Sequence, residues 1–383
     1  MRLSDDRLRF MTDVREFVED EIGVDYCRER YRNREYPHEF YDTVVAEGWL
    51  GTHVPEAYGG RGGGHLDAVL LLEGLGTYGY DFAVPVVTTA TATTNLLEYG
   101  TDAQRERYLP DVLDGSCRFS VGVTEPQSGS DAAGLSTRAE RQGEEYVVDG
   151  EKTYQSGAGV AGNRVHCYVR TDPDRGKYDG ISALLVPVDA PGVAVEELPL
   201  VTRKAVGTYR LSFEGVRVPV EDRLGEEGDG WSIMTDHLAR EHTYMAASMV
   251  GNARTVVETA LEAAAERERF GKRVVDFQAI KHRLADMQTE VDAARLLVYH
   301  AAAELDAGTA SRRLAAEAKL KAGVVLREVS TEGMQVLGGA GFDPANDMER
   351  YWREGMSATI AGGTSEIQRS VVGNALLEDY RSE

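Results

Sequence analysis

Glu145-Tyr146-Val147-Val148-Asp149-Gly150, Arg164-Val165-His166-Cys167-Tyr168-Val169-Arg170, Ile181-Ser182-Ala183-Leu184-Leu185-Val186 and Tyr209-Arg210-Leu211-Ser212-Phe213 are the runs that decide the fold. Each is short and rich in β-branched and aromatic residues, and Gly, Asp and Pro separate them. No helices of about 10–15 residues alternate with them, which argues against a parallel Rossmann sheet. An antiparallel, barrel-like β region is expected instead.

On both sides the pattern turns helical. Leu8, Phe10, Val14, Phe17, Val18 and Ile22 recur at helical spacing among charged residues. Pro37 opens a second helix that ends near Gly48, residues 65–75 and 85–99 read as two more, and Thr101-Asp102-Ala103-Gln104 looks like a helix start. Beyond the β region, Ala, Leu, Glu and Arg dominate 231–266, 277–307 and 312–337, lengths that suit a helical bundle. The expected class is therefore α+β: an N-terminal helical domain over 1–117, a middle β domain over 118–225 and a C-terminal four-helix-bundle-like domain over 226–383.

The chain has 383 residues, 42% of them hydrophobic, enough for a large core. Its net charge is -22, and only seven of its 42 basic residues are lysines. An acidic, lysine-poor surface stays soluble where salt screens repulsion, so a salt-adapted cytoplasmic protein is expected. The same charge argues against nucleic-acid binding, which needs a basic footprint. Cys27, Cys117 and Cys167 are too few and too scattered for a disulfide framework or a metal site. No signal peptide is expected from the polar N-terminal residues, and no apolar run reaches the roughly 18 residues of a membrane span.

Gly74-Leu75-Gly76-Thr77-Tyr78-Gly79 has the spacing of a dinucleotide fingerprint. That motif needs a strand before it, and here a helical stretch precedes it, so a glycine-rich interhelical turn is expected.

Four segments carry chemistry. Val123-Thr124-Glu125-Pro126-Gln127-Ser128-Gly129-Ser130-Asp131 is a Gly/Ser loop able to present amides and hydroxyls to phosphate or carbonyl oxygens. Gly150-Glu151-Lys152-Thr153-Tyr154-Gln155-Ser156-Gly157 sets an aromatic two residues from a hydroxyl. Arg267-Glu268-Arg269-Phe270-Gly271 offers a guanidinium fork suited to two phosphate oxygens. Ala361-Gly362-Gly363-Thr364-Ser365-Glu366-Ile367-Gln368-Arg369 closes the set.

Together, and in this order, these segments resemble the acyl-CoA dehydrogenase family, and the likeness runs from Leu8 to about Leu377. The resemblance implies FAD as cofactor, an acyl-CoA substrate, an electron-transferring flavoprotein as partner, and a homotetramer with FAD at the dimer interface. It implies that Val123, Thr124, Gly129 and Ser130 border flavin and thioester, and that Tyr154 flanks the flavin ring while Ser156 hydrogen-bonds near its N5. Arg267 and Phe270, Phe277 and Gln278, and Gln335, Gly338 and Gly339 would bind FAD, the arginine and the 335–339 segment across the dimer. Thr364 and Glu366 would also touch it. Tyr154, Gln155 and Ser156 replace the family's Trp, apolar and Thr residues.

Many members carry a catalytic glutamate where Gly362 stands. Its backbone N–H still suits the thioester oxygen, yet no side chain remains to take the α-proton. Two subgroups, resembling isovaleryl-CoA and long-chain acyl-CoA dehydrogenases, place the base on an earlier helix. Matching Ala246 to Gly251 puts Glu241 at that position. Ala239 and His242 replace residues that help hold the CoA portion, with His242 and Ser130 the expected substrate contacts here. The same sequence admits a flavin monooxygenase or oxidase on this fold, a catalytically silent subunit paired with an active homologue, and an acyl group borne by a carrier protein.

Overall fold

The computed structural model describes residues 3–309 and 311–382. In chain order, α1 (Asp5–Glu16), α2 (Val24–Asn33), α3 (His38–Ala46), α4 (His65–Leu75), α5 (Tyr80–Tyr99) and α6 (Asp102–Leu113) precede the strands. These are β1 (Arg118–Gly122), β2 (Arg138–Gln142), β3 (Glu145–Ser156), β4 (Asn163–Arg170), β5 (Ile181–Pro187), β6 (Val193–Glu197), β7 (Thr208–Pro219) and β8 (Arg223–Leu224). Then come α7 (Gly230–Glu266), α8 (Gln278–Asp306), α9 (Arg312–Leu337), α10 (Met348–Ala358) and α11 (Ser365–Ser382). Among the described residues no helix is long and apolar enough to cross a membrane.

Packing divides the chain into two compact units that are not consecutive stretches. The first holds residues up to Glu29, His65–Ala83 and everything from His242; the second holds Arg30–Gly64 and Val84–Glu241. The units do not coincide with the three regions expected from the sequence, because α5 and α7 each contribute to both.

In the second unit the sheet order is β6-β7-β3-β2-β4-β5-β8, with β1 beside β4. Most pairs are antiparallel, as expected. The sheet departs from that expectation where β1 runs parallel to β4, from Arg118 opposite Asn163 to Gly122 opposite Cys167, and where β2 meets β4 in parallel at Arg138 and Arg170. β5 shows why its run reads as continuously apolar. Ile181, Ala183 and Leu185 enter a core with Leu96, Tyr108, Phe119 and Ile233, whereas Leu184 and Val186 enter another with Val148, Val165 and Phe213. Alternate residues point to opposite faces, and here both faces are buried. Thr101 caps α6 in a reciprocal box with Gln104.

In the first unit the glycines of 74–79 have a packing role. A Cβ on Gly76 would lie 2.3 Å from the Ser248 carbonyl oxygen, and one on Gly251 would lie 2.0 Å from that of Glu73. A Cβ on Gly74 would meet Val14 at 2.5 Å. Backbone therefore touches backbone where α4 and its following turn meet α7. The three cysteines are free and buried, and burial pushes their thiols up to between about 11 and about 12.

Gly251→Ala should destabilise the protein by about 3 kcal/mol, since a carbonyl cannot swing aside as a side-chain tip does. Gly373→Ala in α11, where nothing lies within 4 Å, should instead gain about 0.5–1 kcal/mol. Urea unfolding of both variants measures the contrast.

Candidate active site

In the second unit a buried ion pair builds the 123–131 loop. Lys152 Nζ donates to Glu125 Oε1 at 2.8 Å and to the Val123 carbonyl at 3.3 Å. Glu125 also accepts from the amides of Ser136 and Thr137, the Ser136 hydroxyl and Gln127 Nε2. Burial raises its pKa, but the Lys152 charge and these donors outweigh that and hold it down to about 2. The Thr153 amide donates to the Thr124 carbonyl at 2.8 Å, tying the loop to β3. Val123 and Thr124 are half-buried, while Gly129, with nothing within 4 Å of a notional Cβ, and Ser130 are exposed.

β3 breaks register against β7 between Lys152 and Gln155. At that bulge Tyr154 adopts φ +61° and leaves its side chain 60% exposed. A bulky residue in the left-handed region is strained, and such strain gathers at functional sites. Ser156 accepts a hydrogen bond from Arg203 Nη1. Guanidinium only donates, so the serine's own O–H is left to donate elsewhere. Between them Gln155 Oε1 is buried with no partner, as is Thr208 Oγ1 on the paired strand. An exposed aromatic, a hydroxyl left to donate and unpaired polar atoms beside a Gly/Ser loop fit a flat, polar-edged group such as the flavin ring.

Glu241 lies on α7 with its side chain 13% exposed, its Oε2 3.8 Å from Nε2 of the fully buried His237.

In the first unit the 362–364 loop is held by its carbonyls. Lys319 Nζ donates to the Gly363 oxygen at 2.5 Å, and Gln368 Nε2 lies 3.3 and 3.4 Å from the Gly362 and Gly363 oxygens. Gln368 Nε2 also meets His242 Nε2 at 3.2 Å. His242, expected against the CoA portion, is thus buried against this loop. Burial first, then the Lys319 charge, push its pKa down to about 3, so it is neutral. Gly362 has φ +64°, and a Cβ there would lie 2.7 Å from Met245 Sδ. Thr364 accepts from the Ile367 amide at the start of α11, while Glu366 is exposed and pairs with Arg369 at 3.5 Å.

Arg267, expected at a neighbouring subunit's pyrophosphate, caps α9 through the Val336 and Leu337 carbonyls. Phe270 is 96% exposed at φ +53° on the small hairpin 268–273, its ring 6.3 Å from that of Phe277, beside which the exposed Gln278 opens α8. Gln335 and Gly338 line an open groove of about 250 Å³ with Phe342 and Trp352, and Gly339 is exposed beside them.

Met245, Lys319, Gln368, Arg203 and Asn95 escaped the sequence reading. Gln368 stands inside the 361–369 segment. Lys319 carried a signal, a lysine among alanines in an arginine-rich chain. Arg203 and Asn95 gave none, because their partners lie 47 residues or more away.

Two outcomes follow. Lys152→Met leaves the Glu125 carboxylate buried without its counter-charge, a loss of about 3–5 kcal/mol in urea unfolding. His242 and His166, both pushed to about 3 from 6.5, lower stability progressively as pH falls from 6.5, because the unfolded chain binds those protons first. Glu125 adds a further loss as pH falls from 4.5 towards 2. A series of Tm values against pH should fall from about pH 6.5 downward, with a shallower slope in His242→Gln.

Three family descriptions match the chain: the acyl-CoA dehydrogenase N-terminal domain over 4–116, the middle domain over 120–216 and the C-terminal domain over 228–377. The caffeyl-CoA reductase-Etf complex subunit CarC of Acetobacterium woodii is 33% identical over 95% of this chain and 96% of that one. The short-chain-specific acyl-CoA dehydrogenase of Megasphaera elsdenii is 33% identical over 89% and 90%. The solved structure of butyryl-CoA dehydrogenase from Megasphaera elsdenii superposes with a TM-score of 0.94 at 32% identity, covering 98% of this chain and 99% of that one.

Proposed function

Because the chain belongs to the acyl-CoA dehydrogenase family, we propose that it dehydrogenates an acyl-CoA thioester between Cα and Cβ with Glu241, not residue 362, as base. The chain is an FAD-dependent oxidoreductase. FAD, when bound, supplies the acceptor for the hydride from Cβ. The remaining tasks fall to side chains and amides. The Glu241 carboxylate takes the α-proton, a role that contributes about 10²–10⁴-fold. The Gly362 N–H donates to the thioester oxygen as it gains negative charge. Tyr154 covers the ring, Ser156 donates to its polar edge, and the 123–130 loop seats both cofactor and thioester.

One steric observation carries this reading. Met245 occupies the space that a side chain at 362 would enter, and φ +64° disfavours any residue with a Cβ there. A glutamate at 362 would have to displace Met245 and accept strain. Meanwhile α7 retains an acid at 241, one helical turn before Met245 in sequence.

By microscopic reversibility the same acid, once protonated, serves the reverse reaction. That relative's association with an electron-transferring flavoprotein supports the same class of partner here. The nearly bare Phe270 and the groove at Gln335 and Gly338 support a homo-oligomer, a tetramer by family likeness, in which neighbouring copies cover them. The acidic, lysine-poor composition supports a salt-rich cytoplasm.

Anaerobic titration with a panel of acyl-CoAs should bleach the flavin. Glu241→Gln should keep its FAD and lose bleaching by at least about 100-fold. Adding Gly362→Glu to that variant should not restore it. Bleaching by Glu241→Gln at the parent rate removes Glu241 as base.

A further inference from the structure

Beneath Glu241, on the protein side, lies a buried chain of polar groups whose hydrogen-bond directions follow from a cation at one end. It begins at Arg240, which pairs with Glu98 and donates Nη1 to Asn95 Oδ1 at 3.1 Å. A guanidinium has no acceptor, so the carboxamide oxygen of Asn95 must face it. The amide nitrogen then faces the other way. It lies 2.9 Å from Nδ1 of His237 and 3.4 Å from Nδ1 of His166. An amide nitrogen only donates, so both Nδ1 atoms are acceptors. A neutral imidazole with Nδ1 bare carries its single proton on Nε2. Both rings are fully buried, and burial holds His166 neutral. On α7, His237 precedes Glu241 by one turn, so its Nε2–H is the atom 3.8 Å from Glu241 Oε2. Tyr168 packs edge-on to the His237 ring, and burial, then the Glu241 charge, keep its hydroxyl protonated.

We propose that His237 is a positioning residue for Glu241, presenting Nε2–H to its carboxylate in a tautomer that Arg240 dictates through Asn95. The inference rests on the reading of Glu241 as base. The N–H dipole does two things. It selects one carboxylate orientation, and it favours the charged form that burial opposes. The ring itself neither gains nor loses a proton, because Nδ1 is tied to Asn95. Arg240 thus acts on the carboxylate without touching it. The distance is longer than a hydrogen bond, a looseness common at catalytic carboxylates before substrate arrives.

Two measurements on the FAD-loaded enzyme test this. In kcat/KM against pH, with the best thioester from the acyl-CoA panel, His237→Phe removes the donor and keeps the ring volume. Loss of a donor to the charged form raises the acid limb, by about one pH unit, with a roughly tenfold fall in kcat/KM below it. His237→Gln, which retains an N–H, should sit closer to the parent. A merely structural role lowers kcat/KM evenly and leaves the limb in place, and that result overturns the proposal. The second measurement needs no functional variant: 15N spectra of histidine-labelled parent protein should show His237 as the Nε2–H tautomer near neutral pH. A Nδ1–H ring or an imidazolium overturns it. Glu241→Gln separates the two readings. If it is inactive while the His237→Phe limb is unmoved, only this inference falls; if it is active, the base assignment falls whatever the tautomer.

Discussion

The closest constraint in the first unit is backbone against backbone. Gly251 on α7 stands where a Cβ would strike the Glu73 carbonyl, and Gly76 where one would strike Ser248. Two such points fix both the height and the rotation of α7 against the 73–76 segment. Rotation is what matters chemically. It decides that Met245 faces Gly362 and that His242 meets Gln368, which donates to the same loop. Were α7 turned by one residue position, about 100°, neither contact would survive. The glycines that look like a nucleotide motif in the sequence therefore set the geometry of the loop near the end of the chain.

A second theme is the use of groups that can only donate. Arg203 meets Ser156, Arg240 meets Asn95, and Lys319 meets the Gly363 oxygen. Hydroxyls and carboxamides are ambiguous partners, since each can serve as donor or acceptor. A cation on one side removes the ambiguity and directs the donor to the other. At Ser156 this frees one O–H; at Asn95 it fixes two imidazole tautomers. The chain has seven lysines, and two of them, Lys152 and Lys319, are fully buried beneath the candidate loops. At these two buried positions a compact point charge fits where a planar fork would not.

The architecture was legible because its signals are local. Residues 312–337 read as a helix and form α9, and residues 65–75 form α4, each from periodicity within a few turns. Thr101 and Gln104 announced α6 by reciprocal capping. β1 and β6 were missed because Arg118–Gly122 and Val193–Glu197 are only five residues long, and the second is mostly exposed, leaving little apolar pattern. The parallel pairing of β1 with β4 joins residues some 45 positions apart, which no local signal reports. The motifs located Tyr154, but its φ +61° arises from a register shift against β7. His242 shows the limit most clearly. Its place in a known pattern suggests a ligand contact, but no local signal reports that its buried ring meets Gln368, 126 positions away, at 3.2 Å.

Gly362 is more than a glutamate deleted. Alanine or serine would also lack the carboxylate, yet either would meet Met245 Sδ at 2.7 Å and hold a strained φ. Glycine avoids both while keeping the amide N–H, and its carbonyl gives Gln368 an acceptor. Met245 in turn supplies a flexible thioether that fills the space without polar demand. Position 362 thereby keeps its backbone groups and gives up its side chain as one coupled arrangement. The proposed reading asks a carboxylate to reach the α-carbon from another element, and the acid that α7 offers for this is Glu241, 13% exposed and 3.8 Å from His237.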